Sequence, residues 1–314
     1  MESNYSTCGK VNFDFTHKFL PTVYVAVFTL GLLGNCFGLK SVYQNWQKMG
    51  NVNIFVVNLC LADLLYILTL PFLVFYYALN SQWTFGDVFC KIVRFCFCMN
   101  LYGSIGFLTC ISVYRYLGIV HTLRVKGRIT ARHSVMIALL VWLLVFFQCL
   151  PDLFFIKTDN SSTSCFDTTS DAYIKDYLKY SIGRTVFGFG IPLLIMLCCY
   201  GHVAFILMTK KETDVILKLR CLRLVVVLTL LFSICFIPYH IFRNFNLVTR
   251  IYKLLGKCHK WYSSIYIANQ IGNGLACMNS AINPLIYLFN SDELLMNCCM
   301  RHKRSPANWR NSGT

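Results

Sequence analysis

FLPTVYVAVFTLGLLGNCFGL, residues 19 to 39, contains no charged side chain. A helix needs about 20 mainly apolar residues to cross the hydrocarbon core of a bilayer, and this stretch is long enough. The residues before it are polar, with neither a charged leader region nor a small-residue cleavage site, so it reads as a span and not as a removed signal peptide. Six further runs have the same character: Ile54 to Leu79, Val88 to Val120, Val135 to Phe155, Tyr180 to Met208, Leu222 to Leu247 and Tyr262 to Phe289. The third is long enough to tilt or to project beyond the membrane. Composition agrees, with 56% of the 314 residues hydrophobic, 13% charged and a mean hydropathy of +0.55, too apolar for a soluble domain of this length. The expected fold is an all-α seven-transmembrane helix bundle: an extracellular N-terminus (1–18), a membrane domain (19–289) and a cytoplasmic tail (290–314). The tail carries the amphipathic segment SDELLMNCCMR, suited to the membrane surface and its lipid.

The formal charge of +16 raises nucleic acid as a partner, but the basic residues lie in short loops between apolar runs and form no continuous stripe, which argues against it. Their placement sets an orientation instead. Arg124, Lys126, Arg128 and Arg132 follow span three, Lys210, Lys211, Lys218, Arg220 and Arg223 follow span five, and Arg301, Lys303, Arg304 and Arg310 lie in the tail. These loops are expected in the cytoplasm, with the N-terminus outside at the plasma membrane. Two N-x-S sequons, at Asn4 and Asn160, fall on the expected outer side and are candidate glycosylation sites. Most of the 17 cysteines lie inside apolar runs and read as small core residues without metal-ligand spacing. Cys90 with Cys165, and Cys8 with Cys258, are candidate disulfides on the oxidising side, free thiols being the alternative. Cys298 and Cys299 are candidate acylation sites.

Polar groups inside spans are costly and each is a functional candidate. Gly34-Asn35, Leu61-Ala62-Asp63, Cys90, Tyr114-Arg115-Tyr116, Trp142, Pro192 with Tyr200, Cys235-Phe236-Ile237-Pro238 and Asn283-Pro284-Leu285-Ile286-Tyr287 occur in order along the spans. Together they resemble the rhodopsin-like G-protein-coupled receptors across the whole bundle. WTFGDVFCK (83–91), NLYGSIGFLTCISVYRY (100–116), CFDTTSD (165–171) and PYHIFR (238–243) are most similar to the purinergic nucleotide receptors and the related succinate and oxoglutarate receptors.

The resemblance implies roles. Asp63, with Asn35, Ser104, Asn279 and Asn283, would bind an allosteric sodium ion, oxygen ligands suiting a hard cation; a water-filled network is the alternative. No other cofactor is implied. Arg115 would contact a heterotrimeric G protein, with arrestin as a further partner. Tyr114 stands before it where an acid is commoner, so no adjacent ion pair restrains it and basal signalling is expected to be raised. Phe236 would floor the ligand cavity, Tyr200 and Tyr287 would act in activation, and Pro238 and Pro284 would provide hinges. The ligand set would be Arg94, Tyr102, Arg184, His240, Arg243, Gln270 and Asn273. A bundle cavity holding several cations and no matching carboxylate suits a small anionic extracellular ligand, a nucleotide first and a small carboxylate as the alternative. Arg250 and Lys253 are expected to reach headgroups or to pair with an outer-loop acid such as Asp167 or Asp171.

Three positions depart from the subfamily pattern. Asn273 stands where a basic residue is usual, Cys98 replaces a histidine, and Arg184 adds a cation in span five, so Arg184 is expected to relocate part of the missing charge. Signalling through phospholipase C and calcium is the coupling the resemblance favours, and an orphan, constitutively active receptor is a further alternative. No nucleophile elbow, phosphate loop or zinc motif stands in a suitable context, so no enzyme is expected. A transporter of organic anions is the rival class, but no inverted repeat or paired broken helices are present.

Overall fold

The computed structural model of the chain describes residues 14–44, 46, 51–121, 130–158, 164–209 and 215–284. Asn4, Cys8, Asn160, Tyr287, Cys298, Cys299 and the amphipathic tail lie outside the described residues. Among the described residues the regular secondary structure is helical, with one isolated antiparallel bridge between Thr158 and Cys165. Five helical stretches, Phe15–Gln44, Val52–Ala78, Gly86–Val120, Ala131–Leu153 and Asp171–Ile206, are long and apolar enough to cross a membrane. Val215–Leu254 and Tyr262–Ile282 complete the seven. Span seven is polar for a spanning helix because Asn269, Gln270, Asn273, Asn279 and Ser280 all face inward and are buried. Apolar side chains face outward instead, among them Leu33 and Phe37 in span one and Leu143 and Phe147 in span four, as lipid requires.

Span three is the central post: 61% of its apolar window is buried, against 22% for spans four and five. Spans two and five are interrupted near prolines. Span two divides into Val52–Ile67 and Leu70–Ala78, since Pro71 has no N–H to continue the ladder. At the break the Thr69 hydroxyl bonds back to the Tyr66 carbonyl at 2.7 Å. Span five runs from Ile174 to Arg184, widens into a π-helical turn over Thr185–Gly190, and resumes at Ile191, just before Pro192. A Cβ at Gly188 would collide with Gln148 Nε2 and fall 2.7 Å from the Tyr102 ring, so only glycine lets the widened turn approach spans three and four.

Span six continues through Pro238, whose missing N–H leaves the Ile234 carbonyl without its helical donor. Span seven packs against that point. A Cβ on Gly272 would lie 3.0 to 3.2 Å from the backbone of Tyr239 and Pro238, close packing of the kind small residues permit between membrane helices.

Candidate functional site

His240 and Arg243 lie one turn apart on span six, above Pro238, and both are buried. Arg243 Nη2 donates to the Tyr177 hydroxyl at 2.6 Å and to the Asp167 carbonyl at 3.2 Å. Its guanidinium also lies over the Tyr239 ring, 5.3 Å from the centroid. Its Nε and Nη1 have no hydrogen-bond partner among the described residues, so two of the three guanidinium nitrogens keep unused donors. His240 stacks on Phe189 with centroids 4.3 Å apart and lies 5.7 Å from Tyr102. Its Nδ1 is 3.4 Å from the Thr185 hydroxyl, while Nε2 is unpartnered among the described residues.

Arg94, in span three, donates from Nη2 to the Cys165 carbonyl at 2.8 Å, and its Nε is likewise unpartnered among the described residues. Asn273 donates to Asp167 Oδ2 at 3.2 Å and to Gln270 Oε1 at 3.2 Å. Arg94, Arg243, Gln270 and Asn273 thus all gather around the 165–167 segment. The Cys90–Cys165 disulfide, with Cα atoms 5.8 Å apart, ties this segment to span three. Burial by itself would raise the Asp167 carboxyl, but Arg243, Arg94 and Arg250, with the Asn273 amide, hold it below the usual carboxylate range. Its stabilising contribution is therefore present above the ordinary carboxylate range and is lost as the pH falls through the lowered value.

The structure corrects the expectation of a cavity with cations and no matching carboxylate. Two acids lie among the arginines, Asp167 in the loop and Asp152 in the 3₁₀ turn Leu150–Leu153 at the end of span four. Asp152 is 4% exposed and receives Arg184 Nη1 on Oδ2 and Lys157 on Oδ1. Arg184 is therefore not a free cation standing in for the one absent at Asn273; its charge is met inside the protein. Arg250 pairs with Asp171 at 2.5 Å and donates to the Thr168 hydroxyl and Thr169 carbonyl.

A second polar centre lies deeper. Asp63 is fully buried, accepting from Asn100 and Asn283 at 2.8 Å each and from Ser104 at 3.4 Å. Asn35 donates to the carbonyls of Gly31 and Ser280, and the Ser280 hydroxyl donates to Asn100 Oδ1. These bonds to Asp63 include Asn100, which sequence reasoning missed, and neither Asn35 nor Asn279. Asn279 instead lines an internal cavity of about 20 Å³ with Ser112, Tyr200, Phe232 and Asn283. A carboxylate ringed by neutral side chains, with the buried Asn35 Oδ1 left unpartnered among the described residues, fits a hard monovalent cation.

Other unforeseen groups carry the geometry. Tyr177, Tyr180 and Arg184 recur at i, i+3 and i+7, one helix face, a signal in the sequence that could have found the two tyrosines. Phe189 stacks on Phe232, which meets Phe236 edge-on. Cys98 and Cys149 form a disulfide between spans three and four, where both were expected to be separate core residues. Cys258 is disulfide-bonded; its expected partner Cys8 lies outside the described residues.

The sequence profile of the 7 transmembrane receptor (rhodopsin family) matches residues 34–287. The chain belongs to this family. Among similar proteins, purinoceptor 1 of Meleagris gallopavo is 39% identical over 293 residues, covering 92% of this chain and 81% of the relative. Purinoceptor 1 of Homo sapiens is 37% identical over 289 residues, covering 91% and 77%, and purinoceptor 4 of Xenopus laevis is 38% identical over 290 residues, covering 89% and 53%. The chain is thus a G-protein-coupled receptor close to the purinergic receptors, a multi-pass plasma-membrane protein and not an enzyme.

At the opposite end of the receptor bundle from the disulfide, Arg115 is half-buried in the last turns of span three. Tyr114 packs edge-on against Phe55, centroids 6.4 Å apart. The Tyr200 hydroxyl meets Ser112 Oγ at 2.6 Å, joining spans three and five one turn above Arg115. A Cβ on Gly34 would lie 2.7 Å from Pro284, so span one passes directly against the turn where the span-seven helix ends.

Proposed function

We propose that the receptor responds to a small anionic extracellular ligand, a nucleotide first, and signals through a heterotrimeric G protein. The observation that carries this reading is the pair of buried guanidiniums, Arg94 and Arg243, facing one shared acid, Asp167, with donor atoms left over. Two cations against one acid leave a positive surplus among donors suited to phosphate. Similarity to proteins named as purinoceptors supports the nucleotide within the anions. In this reading Tyr102, His240, Gln270 and Asn273 line the same cavity and Phe236 closes it below. The loops rich in Lys and Arg face the cytoplasm, so the membrane domain 19–289 carries residues 1–18 outside and the 290–314 tail inside. An N-terminal epitope tag reached by antibody on intact cells checks that orientation, and staining only after permeabilisation would reverse it.

A ligand shifts the receptor toward its active state only by binding that state more tightly. An anion on Arg243 acts on the part of span six above Pro238, where the helical hydrogen bonding is weakest, and the Arg115 end of the bundle is where the G protein docks. The test is a calcium and cyclic-AMP screen of nucleotides and small carboxylates on cells expressing the receptor. Nucleotide responses support the reading; activation by a neutral or cationic amine, with silence toward anions, would sink it.

The Asp63 centre is proposed to hold sodium in the inactive state. Because coupling between two ligands is reciprocal, added sodium is then expected to weaken agonist binding about five- to tenfold. Asp63→Asn should abolish that dependence, whereas an equal sodium effect in the variant would remove the site from Asp63.

A further inference from the structure

Asp152 is bound by the receptor in the way a ligand anion would be. Its Oδ1 accepts from Lys157 at 2.7 Å and from the Tyr177 hydroxyl at 3.0 Å; its Oδ2 accepts from Arg184 and lies 3.3 Å from the Tyr180 hydroxyl, whose proton goes to the Gln148 carbonyl at 2.7 Å. Two cations and one phenol donate to one carboxylate, occupying three of its roughly four lone-pair sites. The position is held on several sides. The 3₁₀ turn starts at Leu150, directly after Cys149, which is bonded to Cys98 of span three. Arg184 Nη1 also contacts Cys98 Sγ at 3.1 Å, and its guanidinium lies 4.5 Å from the Tyr180 ring centroid and 5.4 Å from that of Tyr102.

This cluster adjoins the candidate ligand cavity through one phenol. The Tyr177 oxygen is 2.6 Å from Arg243 Nη2 and 3.5 Å from Arg184 Nη2. An anion on the unpartnered nitrogens of Arg243 is therefore separated from a second arginine by the Arg243 guanidinium and one phenol, and what holds that arginine back is Asp152. We propose that Asp152 is a specificity-determining residue: as an internal anion it occupies Arg184 and Lys157, confines the external anion to the Arg94 and Arg243 side, and limits the negative charge the cavity takes.

This proposal rests on the anion-receptor reading. Its test is a set of concentration–response curves for adenosine 5′-mono-, di- and triphosphate, normalised to receptor at the cell surface, in wild type, Arg184→Gln, Asp152→Asn and the double variant. In the otherwise native receptor Arg184→Gln is expected to change potency less than about threefold. Asp152→Asn frees Arg184 for the ligand and is expected to raise the triphosphate-to-monophosphate potency ratio about tenfold, the worth of one charge-assisted contact. Adding Arg184→Gln to Asp152→Asn should return the ratio to the wild-type value. An unchanged ratio in Asp152→Asn overturns the role of Asp152 and leaves the anion reading standing. Silence of wild type toward all three nucleotides overturns both. Should Asp152→Asn fail to reach the surface, Arg184→Gln decides alone, because a loss of threefold or more would make Arg184 a ligand contact despite Asp152.

Discussion

Arg243→Ala is expected to raise the agonist concentration needed for half-maximal response by at least about a hundredfold, with the receptor still at the cell surface. Arg243 is 4% exposed, and its Nε and Nη1 have no hydrogen-bond partner among the described residues. Hydrogen bonds to a charged group are each worth roughly 1.5–3 kcal/mol, and Nε and Nη1 can each make one to the oxygens of an anion. Losing both costs about 3–6 kcal/mol, which is two to four decades in affinity. The substitution also removes one cation from beside Asp167, so that acid then competes for Arg94, which deepens the loss. Arg243→Lys separates charge from geometry. Lysine retains the positive point but not the fork, and it is expected to lose about tenfold, between wild type and alanine. Radioligand displacement alongside the calcium response checks both, and potency within threefold of wild type in Arg243→Ala would exclude this residue from the binding site.

Cys165→Ser is expected to lower thermal stability and abolish the agonist response together. The Cys90–Cys165 bridge closes a sequence separation of 75 residues, and the chain-entropy relation assigns a loop of that size about 4 kcal/mol. The function is coupled to the bridge because the backbone it anchors supplies the cluster's acceptors. Arg94 binds the carbonyl of Cys165, Arg243 that of Asp167, and Lys157 that of Thr168, while Arg250 binds the Thr168 side chain and the Thr169 carbonyl. Releasing the segment leaves several guanidinium and ammonium donors without their acceptors, each a costly buried group. Cys90→Ser should match Cys165→Ser, and the double variant should be no worse, because one bond is lost in all three. Thermal unfolding of the detergent-purified receptor reads the stability. A Cys165→Ser receptor with wild-type potency would show that the segment holds its place through its hydrogen bonds alone.

Much of the bundle was legible because burial in lipid acts on contiguous runs. Span four is visible as an unbroken apolar stretch whichever helices surround it, and its outward-facing Leu143 and Phe147 belong there for the same reason. His240 and Arg243 were legible as a pair because they are one turn apart on one helix. Asn100 was not, since an asparagine early in NLYGSIGF carries no mark that its side chain reaches Asp63, 37 residues earlier. The Cys98–Cys149 bond was hidden for a similar reason: two cysteines in two apolar runs read equally well as separate core residues.

The charges divide along the same line. The sequence by itself determined that the chain crosses the membrane in seven helices and that arginines lie inside them, because the cost of placing each residue in hydrocarbon depends on the residue and its immediate neighbours. Only the tertiary structure decided which of those arginines remain open. Asp152 and Arg184 are 32 residues apart and meet because the 3₁₀ turn ending span four faces the first helix of span five. Arg243 keeps open donors because its nearest acceptors, Tyr177 and the Asp167 carbonyl, occupy only one of its nitrogens. Charge pairing depends on distances of a few ångströms between remote parts of the chain, and those are set by how the helices pack.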